Sequence, residues 1–160
     1  MNTSRYRKNV GLIIINDQGK VLLCRRKKSN SWQFPQGGID QGETPQRAAY
    51  RELYEEVNIK RSEIKFICST NFWATYELPD EYKKNKKSLR GFLGQKQKWY
   101  LFKLYKDADI HFNNDDDQEF DRYEWVSFWY PLKKIIFFKK DVYKKVLRFF
   151  SSYYSELNVN

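Results

Sequence analysis

Residues 37 to 58, GGIDQGETPQRAAYRELYEEVN, admit few structures. Thr44 followed by Pro45 is a helix start, because Thr caps exposed backbone N–H groups and Pro suits the first helical position. Helix formers then run unbroken to Val57, and Asn58 tolerates the left-handed conformation that often ends a helix. At 3.6 residues per turn, Ala49, Leu53 and Val57 share an inward face, and Glu52, Glu55 and Glu56 share the face beside it. The acids therefore stand at the edge of a buried stripe.

That placement breaks two local rules. Like charges at i,i+4 repel, and acids in the last turn oppose the helix dipole. Such conflicts are expected where function outweighs stability. A divalent cation would turn the repulsion into a ligand set, since hard carboxylate oxygens suit Mg²⁺ or Mn²⁺. Arg51, four residues before Glu55, is placed to hold that carboxylate, and Glu43 sits where the helix N-terminus favours an anion. Acid-rich helix faces are commonly solvated surface, so the glutamates alone leave both readings open.

The full spacing is more specific. Gly37, five residues, Glu43, seven residues and then Arg51-Glu52-Leu53-Tyr54-Glu55-Glu56-Val57-Asn58-Ile59 resembles the Nudix box; Asn58 stands where that family usually has Gly. The likeness extends to Tyr6-Arg7 with Asn9-Val10-Gly11, to Ser31–Gly38, to Gly94–Trp99 and to Glu119-Phe120-Asp121. It continues in Trp125-Val126-Ser127, Trp129-Tyr130-Pro131, and Phe138-Lys139 with Asp141-Val142-Tyr143. These stretches are similar to the bacterial branch of the Nudix family that removes pyrophosphate from RNA 5′ ends. Members of that branch are also described as dinucleoside polyphosphate hydrolases.

The resemblance implies an α/β Nudix fold, an α/β/α sandwich around a mixed β-sheet. It also implies metal ligands in the Gly37 carbonyl and in Glu52, Glu55, Glu56 and Glu119, with Mg²⁺ the expected ion and Mn²⁺ the alternative. Phosphate contacts fall to Arg7 and Arg26. The product would be RNA with a 5′-monophosphate, which promotes 5′-end-dependent mRNA decay. One glutamate must accept the proton of the attacking water; Glu119 and a helix glutamate both qualify. Ile136, Phe138 and Lys139 form an aromatic-basic cluster that fits a base-binding wall, since unstacked RNA bases are held on aromatic rings. Tyr76 reads either as a packed aromatic or as a substrate contact.

With 160 residues the chain is read as a single domain, 1–160, able to bury a core. Its formal net charge of +10 suits a polyanionic partner such as an RNA 5′ end, although the abundance of Lys, Ile, Asn, Tyr and Phe also fits A/T-rich codons. Cys24 and Cys68 lie in apolar, strand-like runs and read as reduced core residues. No apolar run resembles a signal peptide or a membrane span. A cytoplasmic, monomeric enzyme is the expectation.

Along the chain, Met1 to Lys8 reads as a basic arm, loose at its start. Val10–Ile15 and Val21–Cys24 read as a hairpin around Asp17-Gln18-Gly19. Arg25 and Arg26 follow at the strand end. Trp32–Gly38 reads as an irregular loop, and Ile64–Tyr76 as one long strand. Residues 79 to 93, with Lys83, Lys84, Lys86, Lys87 and Arg90, read as a mobile basic loop. Gln97–Tyr105 alternates as a central strand, Ile110 and Phe112 mark a short strand, and Asn113–Asp121 is a second acidic cluster. Tyr123–Phe128 is another strand, Pro131–Ile135 a helical turn, and Asp141–Tyr154 an amphipathic C-terminal helix. Two other functions fit parts of this pattern. One is hydrolysis of free dinucleoside polyphosphates. The other is a non-catalytic RNA-binding module, against which the clustered acids argue.

Overall fold

The computed structural model describes residues 5–83 and 89–157. At its centre is strand β1 (Tyr6–Ile15), paired in parallel with β7 (Gly94–Leu104) along its whole length, from Tyr6↔Gly94 to Ile15↔Lys103. β2 (Val21–Arg26) returns antiparallel beside β1, closing the hairpin expected around Gly19, and β3 (Trp32–Gln33) and β8 (Phe120–Val126) pair with β2. β4 (Gln36–Gly38) pairs with the first half of β1, while β5 (Ile64–Ser69) and β6 (Ala74–Glu77) pair with β7. One parallel pair among antiparallel neighbours makes the sheet mixed.

Period-two alternation divides this sheet between two cores. Ile13, Ile15, Trp99 and Leu101 face the C-terminal helix α4 (Lys140–Leu157), which contributes Val142, Tyr143, Val146, Leu147 and Phe150. Leu12, Ile14, Tyr100 and Phe102 face α1 (Pro45–Val57), which contributes Ala48, Ala49, Leu53 and Val57. The expected α/β/α sandwich is thus built, with the alternation of Gln97–Tyr105 as its axis. Two short helices, α2 (Asp80–Lys83) and α3 (Pro131–Lys134), lie outside the layers' main helices. Among the described residues no helix is long and apolar enough to cross a membrane. Cys24 is buried, Cys68 half-buried, and both are free thiols.

The start of the basic arm, expected to be loose, falls on residues 1–4, outside the described ones, and its end, Tyr6 to Lys8, belongs to β1. Three expectations are corrected. Ile64–Tyr76 is two strands, because residues 70–73 loop out opposite Lys98 and Trp99. Ser69 pairs with Tyr100 and Ala74 with Gln97. Thr70 anchors that excursion, accepting from the Trp99 N–H (3.1 Å) and donating to the Phe72 carbonyl (3.0 Å). Trp32–Gly38 is not irregular throughout but forms β3 and β4, since β1 offers an open edge opposite Gln36–Gly38. Ile110 and Phe112 form no strand; they anchor an irregular segment by packing into the α1-side core. In the 79–93 region Lys83 is tied to the Phe92 carbonyl (3.1 Å), and Lys84, Lys86 and Lys87 lie outside the described residues.

Candidate active site: a two-lobed groove beside helix α1

Helix α1 forms as its sequence dictates. The Thr44 hydroxyl accepts from the Arg47 N–H (3.2 Å), Pro45 opens the first turn, and Asn58 closes the last at φ 60° with its N–H directed to the Leu53 and Tyr54 carbonyls. The apolar stripe drags its neighbours inward: Glu52 and Glu56, one turn apart, are buried.

Arg51 fixes the local geometry. Its guanidinium grips Glu43 with two bonds (Nε 2.8 Å, Nη2 2.9 Å) and donates to the Gly38 carbonyl (2.8 Å). Its Nη1 is shared between Glu52 (2.9 Å) and Glu55 (3.1 Å). One planar cation thereby clamps the loop after β4 to the helix, which a point-charge ammonium would do less well. The clamp holds the Glu43 carboxyl below the ordinary carboxylate range and pushes Arg51 further up.

Glu52 and Glu56 face a cavity of about 410 Å³. Arg7 and Asn9 of β1, Gly37 and Gly38 of β4, and Gln95 of β7 line it, as do Arg26 and Lys28 after β2 and Asp117 to Glu119 before β8. Strand alternation separates the adjacent arginines: Arg26 lines the cavity, whereas Arg25 is spent on a bidentate pair with Asp121 (2.9 and 2.8 Å). A Cβ at Gly37 would fall on the Glu52 carboxylate, so a side chain there fits only if that carboxylate moves.

The acids are electrostatically crowded. Burial first, then Glu119, Glu52 and Asp115, push the Glu56 carboxyl far above its ordinary range; burial likewise raises Glu52 against the pull of Arg51. Glu56 Oε2 is buried with no hydrogen-bond partner. Among the described residues no three His, Cys, Asp or Glu side chains form a finished metal cage. A buried, unpartnered carboxylate oxygen among further acids nevertheless fits a hard divalent cation, which takes carboxylate and phosphate oxygens as ligands. Glu55 stands apart from the cavity lining, half-exposed and held by Arg51.

A stability experiment follows from the crowding. A carboxyl whose folded-state pKa is raised is neutral in both states at low pH. As pH climbs above the ordinary value of 4.5, only the unfolded state ionises freely, so the folded state loses stability until its own pKa is reached. Without divalent ions, the melting temperature of the wild type should fall between about pH 5 and 8 more steeply than that of Glu56→Gln, and Mg²⁺ should offset the fall only in the wild type. Parallel melts of the two proteins, with and without chelator, read this directly; equal slopes would refute it.

A second lobe of about 390 Å³ adjoins the first, sharing Arg26, Lys28, Gln36, Leu89 and Gln95 with it. Its walls are Tyr76, Tyr82, Ile136 and Phe138, with the Phe138 ring 4.9 Å from Tyr82 and 5.9 Å from Tyr76. Tyr76 is both packed and cavity-lining, and burial pushes its hydroxyl up to about 12. Lys139 is not the surface lysine its neighbours suggest. It is buried, with Nζ donating to Gln33 (3.0 Å) and Gln36 (3.5 Å) and lying 5.6 Å over the Tyr76 ring. A buried amide chain continues behind it: Gln97 Nε2 donates to Asn9 (2.8 Å) and Gln36 (3.2 Å), and the Trp99 indole N–H donates to Gln97 Oε1 (3.1 Å).

The structure thus gathers Arg7, Arg26, Gly37, Glu52, Glu56 and Glu119 around one lobe and Tyr76, Ile136, Phe138 and Lys139 around the other. Sequence reasoning missed Asn9, Lys28, Gln36, Gln95 and Gln118. Asn9 and Arg7 were detectable as i,i+2 neighbours on one strand face, had β1 been read as starting at Tyr6. Within the second acidic cluster only Glu119 was given a role, yet Asp115 lies beside Glu56 and Asp117 lines the first lobe.

Comparison with known proteins agrees with this geometry. The NUDIX domain model matches residues 5–147. An RNA pyrophosphohydrolase of Francisella tularensis subsp. mediasiatica is 42% identical, with 96% of this chain and 98% of that protein covered. An RNA pyrophosphohydrolase of Erwinia tasmaniensis is 47% identical over 92% of this chain and 84% of that protein. Among solved structures, the E. coli dihydroneopterin triphosphate pyrophosphohydrolase shares the fold at a TM-score of 0.72, with 20% identity over 89% of this chain and 97% of that one. On the domain match and the identity of these relatives, together with the capped glutamate helix and its arginine clamp, the chain belongs to the Nudix family.

Proposed function

We propose that this chain is an RNA 5′ pyrophosphohydrolase, cleaving phosphoanhydride bonds at 5′-triphosphate or 5′-diphosphate ends and leaving a 5′-monophosphate. The observation that carries the reading is the continuity of the two lobes. An acid- and arginine-lined lobe opens into an aromatic one through Arg26, Gln36 and Gln95, matching phosphates joined to a base. Relatives named RNA pyrophosphohydrolase support it. The enzyme acts in the cytoplasm as a single-domain monomer, and its product feeds 5′-end-dependent mRNA decay.

Glu52, Glu56 and the Gly37 carbonyl would hold the divalent ion, Mg²⁺ or alternatively Mn²⁺. Glu55 is a secondary member because it shares Arg51 Nη1 with Glu52. When bound, that ion neutralises phosphate charge and makes water a better nucleophile. Arg7 and Arg26 bind and orient the phosphate chain. Glu43 and Arg51 keep Glu52 in place. We assign proton acceptance from the attacking water to Glu119, which lines the first lobe near Glu56. Ile136 and Phe138 hold a base in the second lobe, and Lys139 stiffens its floor.

Two measurements test this reading. The ratio of kcat/KM on 5′-triphosphorylated RNA to that on a free dinucleoside tetraphosphate should favour RNA; the reverse order would move the assignment to free nucleotides. In the same assay Glu119→Gln should lower kcat at least about 100-fold, the lower end of general-base effects, while RNA binding persists. Asp116→Asn, at an exposed position, should change little. Equal losses from the two substitutions would reduce the loop to a diffuse field and remove the specific role of Glu119.

A further inference from the structure

Phe137 is the most exposed large hydrophobic residue among those described, at 68%. It belongs to neither core. Its neighbours in sequence, Ile136, Phe138 and Lys139, all line the aromatic lobe, while Phe137 lies outside that lining. It still touches the lobe's wall: the Phe137 and Phe138 rings are 5.4 Å apart and nearly perpendicular, at 89°. Folding leaves much of an aromatic ring in water here, which no internal packing explains. Within four positions of it in sequence, three lysines, Lys133, Lys134 and Lys140, and one acid, Asp141, are exposed, which leaves a net positive charge there, and Lys134 Nζ lies 6.0 Å over the Tyr130 ring.

We propose that Phe137 is a stacking platform for the RNA base that follows the one held in the aromatic lobe, with Lys133, Lys134 and Lys140 beside the phosphates that join them. An RNA longer than the lobe must leave it across its rim, and the ring contact with Phe138 puts Phe137 on one part of that rim. Stacking needs a free aromatic face and tolerates any base, and a surrounding positive field tracks the backbone. Both are present at the lobe's edge. The platform gives the enzyme a preference for polynucleotides over single nucleotides that the two lobes alone do not supply. This inference rests on the RNA reading above.

The test is a length series. kcat/KM is measured for a nucleoside triphosphate and for 5′-triphosphorylated oligonucleotides of increasing length, on wild type, Phe137→Ala and Phe137→Trp. The wild-type value should rise about 5- to 150-fold at the length that first supplies a base to the platform. Phe137→Ala should lack that rise yet match the wild type on the nucleoside triphosphate, and Phe137→Trp should restore it. An unchanged rise in Phe137→Ala overturns the platform and leaves the exposed ring to a protein contact. A wild type that cleaves every length equally overturns it as well. A wild type that cleaves no triphosphorylated RNA is a different result, which removes the pyrophosphohydrolase reading itself.

Discussion

Glu56→Gln is expected to lower kcat on 5′-triphosphorylated RNA at least about 100-fold, a loss of about 2.7 kcal/mol of transition-state stabilisation. The replacement keeps the shape and the buried stripe of α1, so the fold should persist. What it removes is a buried oxygen with no protein partner, pressed against Glu119, Glu52 and Asp115. An oxygen in that position destabilises the empty protein and serves only when a cation or a proton reaches it. The variant should therefore be slower and, without divalent ions at neutral pH, no less stable than the wild type. A folded Glu56→Gln enzyme with near-normal kcat at saturating Mg²⁺ would take Glu56 out of the site.

Gly37→Ala should lower kcat by a similar factor, about 100-fold, for a steric reason. The added methyl would land on the Glu52 carboxylate. Arg51 holds that carboxylate at 2.9 Å, so making room for the methyl disturbs this bond and the carboxylate's position. Displacing a site group by about 1 Å is enough for a loss of this size. Gly37 has no positive φ, so backbone strain does not confuse the result. Gly42→Ala is the matched control. That residue sits at φ 79° with open space around its would-be Cβ. It should therefore cost about 1–2 kcal/mol of stability and leave kcat unchanged. Full activity in Gly37→Ala would mean that Glu52 has freedom the geometry does not show.

The helix that carries the acids was the most legible part of the chain because everything that forms it is local. Thr44, Pro45, the apolar stripe and Asn58 are read within one window, and the structure places them as that window implies. The C-terminal helix and the alternating β7 were legible for the same reason. Where the reading failed, distant pairing decided the outcome. Ile64–Tyr76 looks like one strand until β7 imposes its register and residues 70–73 are squeezed out. Tyr6–Lys8 reads only as the end of a basic arm until β7 supplies a parallel partner. The cavity shows the same division. Glu52 and Glu56 could be named from spacing, but Asn9, Gln36 and Gln95 enter it only through sheet pairing. The buried state of Lys139 depends on Gln33 and Gln36, some hundred positions earlier.

The parallel pairing of β1 with β7 has a consequence for how the protein comes into being. β1 is synthesised well before β7, since partners such as Tyr6 and Gly94 lie far apart in sequence. The hairpin with β2 and the short pairing with β4 cover one edge of β1 early; the other edge waits for the ribosome to deliver β7. During that interval Val10–Ile15, apolar, mostly β-branched and free of proline, is an open template for pairing with another nascent chain. Closing so long a loop before its contacts form slows folding. Arg7 and Asn9 reach Gln95 only when that closure occurs, so the groove is among the last features to be assembled. A chain released before β7 is complete would carry the whole glutamate helix and still have no site.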